Sequence, residues 1–247
     1  MSDATTEEPR IIALWSAPRS RSTAFLRMMM EREDLTTLHE PFSHLSDFGS
    51  TEVAGRAVRT EAELIEAVRE LSRTTRVFFK DTTDFRFPRV LEDRRFLTEA
   101  RHTFIIRRPE EVIASHYALD PEVTADGIGF GRLHELFEAV RKATGSAPGP
   151  VVDSDDLLDH PAETVREYCS QVGLPFRPDT LNWSSGMREE WLRAPKWHED
   201  AGRSAGFTRT PREYEFTVDN HPVLAAFHRS QRPYYEELYR HRLSLRR

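Results

Sequence analysis

A chain of 247 residues with 38% hydrophobic content is long enough for one domain of ordinary size with a buried core. Lys and Arg number 35 against 41 Asp and Glu, a net charge of −6, which argues against a dedicated binder of nucleic acid or of anionic membranes. No apolar run approaches the ~20 residues that span a bilayer, residues 1–9 lack the apolar core of a secretory signal, and the lone Cys169 fits a reducing compartment. These features point to a soluble cytoplasmic protein.

Residues 1–10 are acidic and polar and read as a disordered leader; residues 11–247 read as a single domain. The run 11–15, Ile-Ile-Ala-Leu-Trp, predicts a strand buried on both faces. A helix is expected over 22–33, with Phe25, Leu26, Met29 and Met30 at helical spacing. Short strands follow at 36–38, 76–79, 102–106 and 151–152. Helices are expected over 60–73, 109–119, 131–143, 160–172 and 222–243, and Pro109 suits a first helical turn. Residues 183–219 have no regular pattern. Strands alternating with helices imply an α/β layered fold with a central, mostly parallel five-stranded sheet flanked by helices. Ligands of such folds sit beyond the carboxyl ends of the strands, so chemistry is sought in the residues that follow each strand.

After the first strand come Ser16, Ala17, Pro18, Arg19, Ser20, Arg21, Ser22 and Thr23, then a helix. Small hydroxyl residues and arginines at a helix N-terminus suit an anion. A Walker A loop would need Gly-x-x-x-x-Gly-Lys-Ser/Thr. The first glycine of this chain is Gly49 and its lysines are only Lys80, Lys142 and Lys196. A phosphate or phosphosulfate held by arginines and hydroxyls matches better than a triphosphate with Mg²⁺. His39 and Glu40 follow the second strand and are two candidates for general base. Their spacing to His44 is not that of a zinc helix, so no metal is expected. Lys80 follows the third strand at the mouth of the same cleft. Arg107, Arg108 and Pro109 follow the fourth and again suit an anion.

The stretch 16–23 resembles the 5′-phosphosulfate loop of sulfotransferases that use 3′-phosphoadenosine 5′-phosphosulfate (PAPS). That loop reads Pro-Lys/Arg-Ser-Gly-Thr/Ser-Thr; Pro18, Arg19, Ser20, Ser22 and Thr23 match, and Arg21 stands where glycine is usual. The stretch 105–115 resembles the 3′-phosphate motif, in which an Arg and a Ser eight positions later hold that phosphate; here they are Arg107 and Ser115. Residues 151–158 and 161–175 resemble the later strand, acidic segment and helix. The segment 202–207 hints at the basic closing segment and offers Arg203 as a nucleotide contact.

The resemblance implies a P-loop-type fold and transfer of the sulfuryl group of PAPS to a hydroxyl or amine of a small-molecule acceptor, leaving 3′-phosphoadenosine 5′-phosphate (PAP), without a metal. Arg19 and Lys80 would grip the bridging and phosphate oxygens, helped by Ser20, Arg21, Ser22 and Thr23. The base of the animal cytosolic members falls here on Thr82, so Glu40 takes that role, with His39 as the alternative. Residues 183–219 would shape the acceptor pocket or form a lid. The amphipathic tail around Tyr234, Tyr235, Leu238 and Tyr239 either packs in cis or pairs two subunits. A P-loop small-molecule kinase and a non-catalytic nucleotide-binding relative are the rival readings.

Overall fold

The computed structural model describes residues 10–245; the leader expected over 1–10 lies outside them, Arg10 excepted. Seven strands are present among the described residues: β1 Ile11–Ser16, β2 Thr36–His39, β3 Thr51–Val53, β4 Arg56–Val58, β5 Val77–Thr82, β6 Arg101–Ile106 and β7 Val151–Asp153. Eleven α-helices are interleaved among the described residues: α1 Ser22–Met30, α2 Pro41–Phe48, α3 Glu61–Ser72, α4 Pro88–Glu92, α5 Arg94–Glu99, α6 Pro109–Tyr117, α7 Phe130–Thr144, α8 Ser154–Asp159, α9 Pro161–Val172, α10 Glu199–Arg203 and α11 Pro222–Arg240. Five strands form one sheet in the order β2-β5-β1-β6-β7, all parallel, and β3 pairs with β4 as an antiparallel hairpin. The expected layered α/β fold is present, and its sheet is wholly parallel.

The period-2 alternation of the strands builds two cores. Ile11, Ala13, Trp15, Val77, Phe79, Phe104 and Ile106 face one layer, formed mainly by α3, α5 and α7. Ile12, Leu14, Phe78 and Ile105 face the other, formed by α1 and α9. Covering both faces explains why β1 reads as an unbroken apolar run. Trp15, Phe42 and Phe79 are fully buried core residues rather than walls for a ligand. The tail helix α11 packs in cis: Leu238 joins the core, and Tyr235 and Tyr239 lie against it.

From β1 the chain first builds toward β2 and β5 on one side, then crosses to β6 and β7 on the other. The strand order therefore reverses at β1, and the crevice at its carboxyl end is where a parallel sheet receives a ligand.

Several expectations shift. The strand expected over 76–79 runs on to Thr82, so Lys80, Asp81 and Thr82 are strand residues rather than loop residues. The helix expected over 22–33 stops at Met30, where the Glu31 N–H bonds back to Met28 and Met29 and the chain turns into β2. The helix expected over 222–243 ends at Arg240, and Leu243 instead packs into the core beside α1 and α9. Helix α2 had no local signal: its first N–H groups, of Phe42 and Ser43, donate to Asp81 on β5 over 2.6 and 3.1 Å. A cap supplied by a neighbouring strand is invisible in local sequence.

Candidate active site

The carboxyl ends of β1, β5 and β6 open into one cleft of about 1170 Å³, lined among others by Arg19, Arg21, Ser22, Thr23, Glu40, Lys80, Arg107, Ser115 and Arg203. Three of the four non-glycine residues with positive φ among those described lie on it: Arg19 at 64°, Arg21 at 68° and Glu40 at 45°. Such conformations cost of order 1–3 kcal/mol each and gather at functional sites. Arg21 thus keeps the left-handed turn for which glycine is usual, and it occupies the N-cap of α1 without a side-chain cap. The N–H groups of that first turn are free of a capping side chain, as an anion site needs. Pressed against the loop is Gly129, at φ 93°; a Cβ there would meet Pro18 and Thr83 at 3.0–3.1 Å.

Three arginines converge on one half of the cleft. Arg19 donates from Nε to Ser115 Oγ at 3.0 Å and from Nη1 to the Trp197 carbonyl at 2.6 Å, and it pairs with Asp200 at 3.1 Å. Arg107 donates to the Arg19 carbonyl at 2.9 Å and pairs with Glu111 at 2.7 Å. Arg21 pairs with the same Glu111 at 3.2 Å and donates to Ser154 Oγ at 2.9 Å. Burial alone would raise the Glu111 carboxyl; Arg107, Arg21 and Arg108 outweigh it and hold the group below the usual range. Glu111 was not singled out from sequence, although it lies one helical turn from Arg107.

The other half centres on Lys80, a residue only 1% exposed, whose ammonium is bonded to Glu40. Burial would raise the Glu40 carboxyl, but Lys80, His39 and His198 reverse this and hold it far below its ordinary value. Asp81 beneath is pushed up to about 7, by burial first and by the Glu40 charge, although its bonds from Ser43, Phe42 and Thr82 act against this. Asp84, on the cleft wall, is pushed up to about 6, again by burial first.

The sequence candidates are not all at the cleft surface. Ser20 is fully buried, its Oγ without a hydrogen-bond partner, and Ser22 Oγ accepts from Ser16 Oγ at 2.8 Å. His39 is buried behind Glu40, does not line the cleft, and has both ring nitrogens unpartnered. Arg203 sits at the rim, 76% exposed and paired with Glu199. His198, which no motif singled out, does line the cleft, with Nε2 4.0 Å from Glu40 Oε2. His39, Glu40 and His198 bring ligating atoms within 4.8 Å of one another. The Lys80 ammonium already bonded to Glu40 opposes a second cation there. Trp183 and Trp191 are buried, whereas Trp197 lines the cleft with its ring 5.2 Å from His116. No helix among the described residues is long and apolar enough to cross a membrane.

Two curated proteins of Arabidopsis thaliana resemble this chain. Branched-chain-amino-acid aminotransferase-like protein 2 is 28% identical over 216 residues, and branched-chain-amino-acid aminotransferase-like protein 1 is 26% identical over 219. The alignments cover 84% and 85% of this chain but only 38% of each relative, so the chain spans about two-fifths of their length. Among solved structures, a sulfotransferase from Alicyclobacillus acidocaldarius aligns with a TM-score of 0.49 at 14% identity, covering 81% of this chain and 98% of that one. A mouse sulfotransferase complexed with PAP aligns with a TM-score of 0.42 at 12% identity, covering 92% and 82%. The profile of the family described as "Sulfotransferase domain" matches residues 9–239, nearly the whole chain, and spans every element that lines the cleft. The chain belongs to the sulfotransferase-domain family.

Proposed function

We propose that this protein transfers the sulfuryl group of PAPS to a hydroxyl or amine of a small-molecule acceptor. The observation that carries the reading is that one cleft joins a three-arginine anion site at an uncapped helix terminus to the buried Lys80–Glu40 pair. The residues fit a doubly anionic nucleotide: Arg107 and Ser115 suit the 3′-phosphate, and the α1 terminus with Ser22 and Thr23 suits the 5′ end. Arg19, bonded to Ser115, belongs between the two ends rather than beside Lys80. Ser20 acts from beneath the loop, and Arg203 at the rim has the reach to close over the nucleotide.

Bound PAPS supplies an activated sulfuryl group whose leaving group is a phosphate. Lys80 stabilises the charge that grows on the bridging oxygen, and the α1 dipole adds to it. Glu40 receives the hydrogen bond of the acceptor hydroxyl and orients it for in-line attack. Residues 194–218 wall the outer part of the cleft, where an acceptor enters.

Calorimetry with PAP against ATP and Mg²⁺ tests the donor: PAP is expected to bind and ATP to bind far more weakly. Labelled sulfate transfer from PAPS to a panel of phenols, primary alcohols and amines tests the reaction. Glu40→Gln is expected to keep PAP affinity and to lose ~10²–10⁴-fold in turnover. Tight ATP binding with phosphate transfer would replace this reading by a kinase.

A further inference from the structure

We infer that His198 is the catalytic residue that takes the acceptor's proton, on Nε2, with Glu40 beside it as the carboxylate that orients the acceptor and stabilises the charged ring. The inference rests on the sulfuryl-transfer reading above and adds a residue that neither the strand ends nor the sequence motifs supply.

His198 is 3% exposed, yet it lines the cleft. Its Nδ1 is buried without a hydrogen-bond partner, so Nε2, facing Glu40, is the nitrogen placed to exchange a proton. The ring is fixed by His39 at 4.7 Å and Trp191 at 5.9 Å between ring centres. Its chain neighbours are pinned as well, because Arg19 holds the Trp197 carbonyl and Asp200. The arginine that links the loop to Ser115 thereby sets the position of His198.

Three groups gathered beside Lys80 could hold the proton, their ligating atoms within 4.8 Å of one another. His39 does not reach the cleft surface. Glu40 does, but with Lys80 on it the carboxylate is a weak base. His198 is neutral: burial first, then Lys80, Arg19 and His44, pull it down to about 4, while Glu40 acts upward. Of the two members of this cluster that line the cleft, it is the one not bonded to the Lys80 ammonium. The 4.0 Å gap between His198 Nε2 and Glu40 Oε2 is too long for a direct hydrogen bond and wide enough for an acceptor oxygen to lie within reach of both. In the step, the acceptor oxygen forms its bond to sulfur as the bond from sulfur to the bridging oxygen breaks. That electron pair stays on the 5′-phosphate, and the acceptor's proton moves to His198 Nε2.

With Lys80 shared between a donor oxygen and Glu40, the carboxylate still accepts from the ammonium but is less fully neutralised where it faces His198. An adjacent negative charge that is less compensated raises a histidine's proton affinity. Donor binding thus strengthens the base.

The experiment is ¹⁵N NMR titration of His198 in the full chain, with and without saturating PAP. The expected result is a PAP-dependent rise of about one pH unit or more, abolished by Glu40→Gln. A second arm follows turnover with the most active panel acceptor. His198→Gln is expected to lose ~10²–10⁴-fold in kcat with PAP affinity unchanged, and His198→Gly to recover part of it with added imidazole, which a packing role would not allow. An unmoved His198 titration in the PAP-bound wild type, or His198→Gln turning over within about two-fold of wild type, overturns the inference. Failure of PAP to bind at all would instead overturn the donor reading.

Discussion

Arg19 Nε donates to Ser115 Oγ over 3.0 Å, joining the loop after β1 to helix α6 across 96 positions of chain. The two stretches that look like separate anion motifs in sequence are one hydrogen-bonded unit in space, with Arg107 closing it through the Arg19 carbonyl. Each cation of the unit already faces a carboxylate: Asp200 for Arg19, Glu111 for Arg107 and Arg21. A phosphate entering this unit, as the proposed donor would, has to compete with those carboxylates.

Removing one competitor is therefore expected to help the ligand. The Arg19–Asp200 pair spans 3.1 Å with Asp200 45% exposed, so it is worth only a few tenths to about 1 kcal/mol. Asp200→Asn should tighten PAP binding by about two- to five-fold in calorimetry. Weaker binding would assign Asp200 to positioning Arg19 rather than opposing the ligand.

Arg107→Ala should act on one phosphate only. Loss of a charge-assisted contact of about 1.5–3 kcal/mol lowers PAP affinity by roughly 10- to 100-fold. Adenosine 5′-phosphate, which lacks the 3′-phosphate, should bind wild type and variant alike. Equal losses for the two nucleotides would remove Arg107 from the 3′ end.

Arg21 separates backbone from side chain. Its φ of 68° suits glycine, while its guanidinium ties Glu111, Ser154 and Asp155 together. Arg21→Gly should leave the melting temperature nearly unchanged, because relief of the left-handed strain offsets the lost partly exposed pairs. Arg21→Val, β-branched at the same φ, should cost on the order of 1–3 kcal/mol. A Val variant as stable as the Gly variant would mean the turn relaxes at no cost.

His102 gives a pH dependence distant from the cleft. Fully buried, it accepts from Trp15 Nε1 at 3.0 Å on Nδ1, which leaves Nε2–H to donate to the Phe96 carbonyl at 3.2 Å. Burial pulls it from 6.5 down to about 4, against the bond to Phe96. The folded value lies below the unfolded one, so this contribution is complete above pH 6.5 and is lost as pH falls toward 4, about 3 kcal/mol in all. Urea unfolding from pH 7 to 4 should show a shallower loss in His102→Gln than in wild type. Parallel curves would mean that His102 does not titrate in this range.

Much of the fold is written locally. The apolar run of β1, the hydroxyl and arginine loop after it, and Arg107 with Ser115 on one helix are each set by residues close in sequence. Lys80 lines the same cleft as the loop after β1 although β5 runs two residues past it, because a strand's end matters less than its direction. Glu111 was passed over since a glutamate in a first helical turn already has an ordinary reason to be there.

Sequence by itself decided that strands and helices would alternate, and therefore that the sheet would be parallel and its ligands would sit at the carboxyl ends, because buried apolar runs and helical periodicity are local properties. Only the tertiary structure brings together the groups of the proposed proton transfer. His198 comes from a segment without periodicity and meets Glu40 from 158 positions further along the sequence. Its basicity depends on burial and on the charges of Lys80, Arg19 and Glu40 around it. Those are properties of distance in space, and no spacing along the chain encodes them.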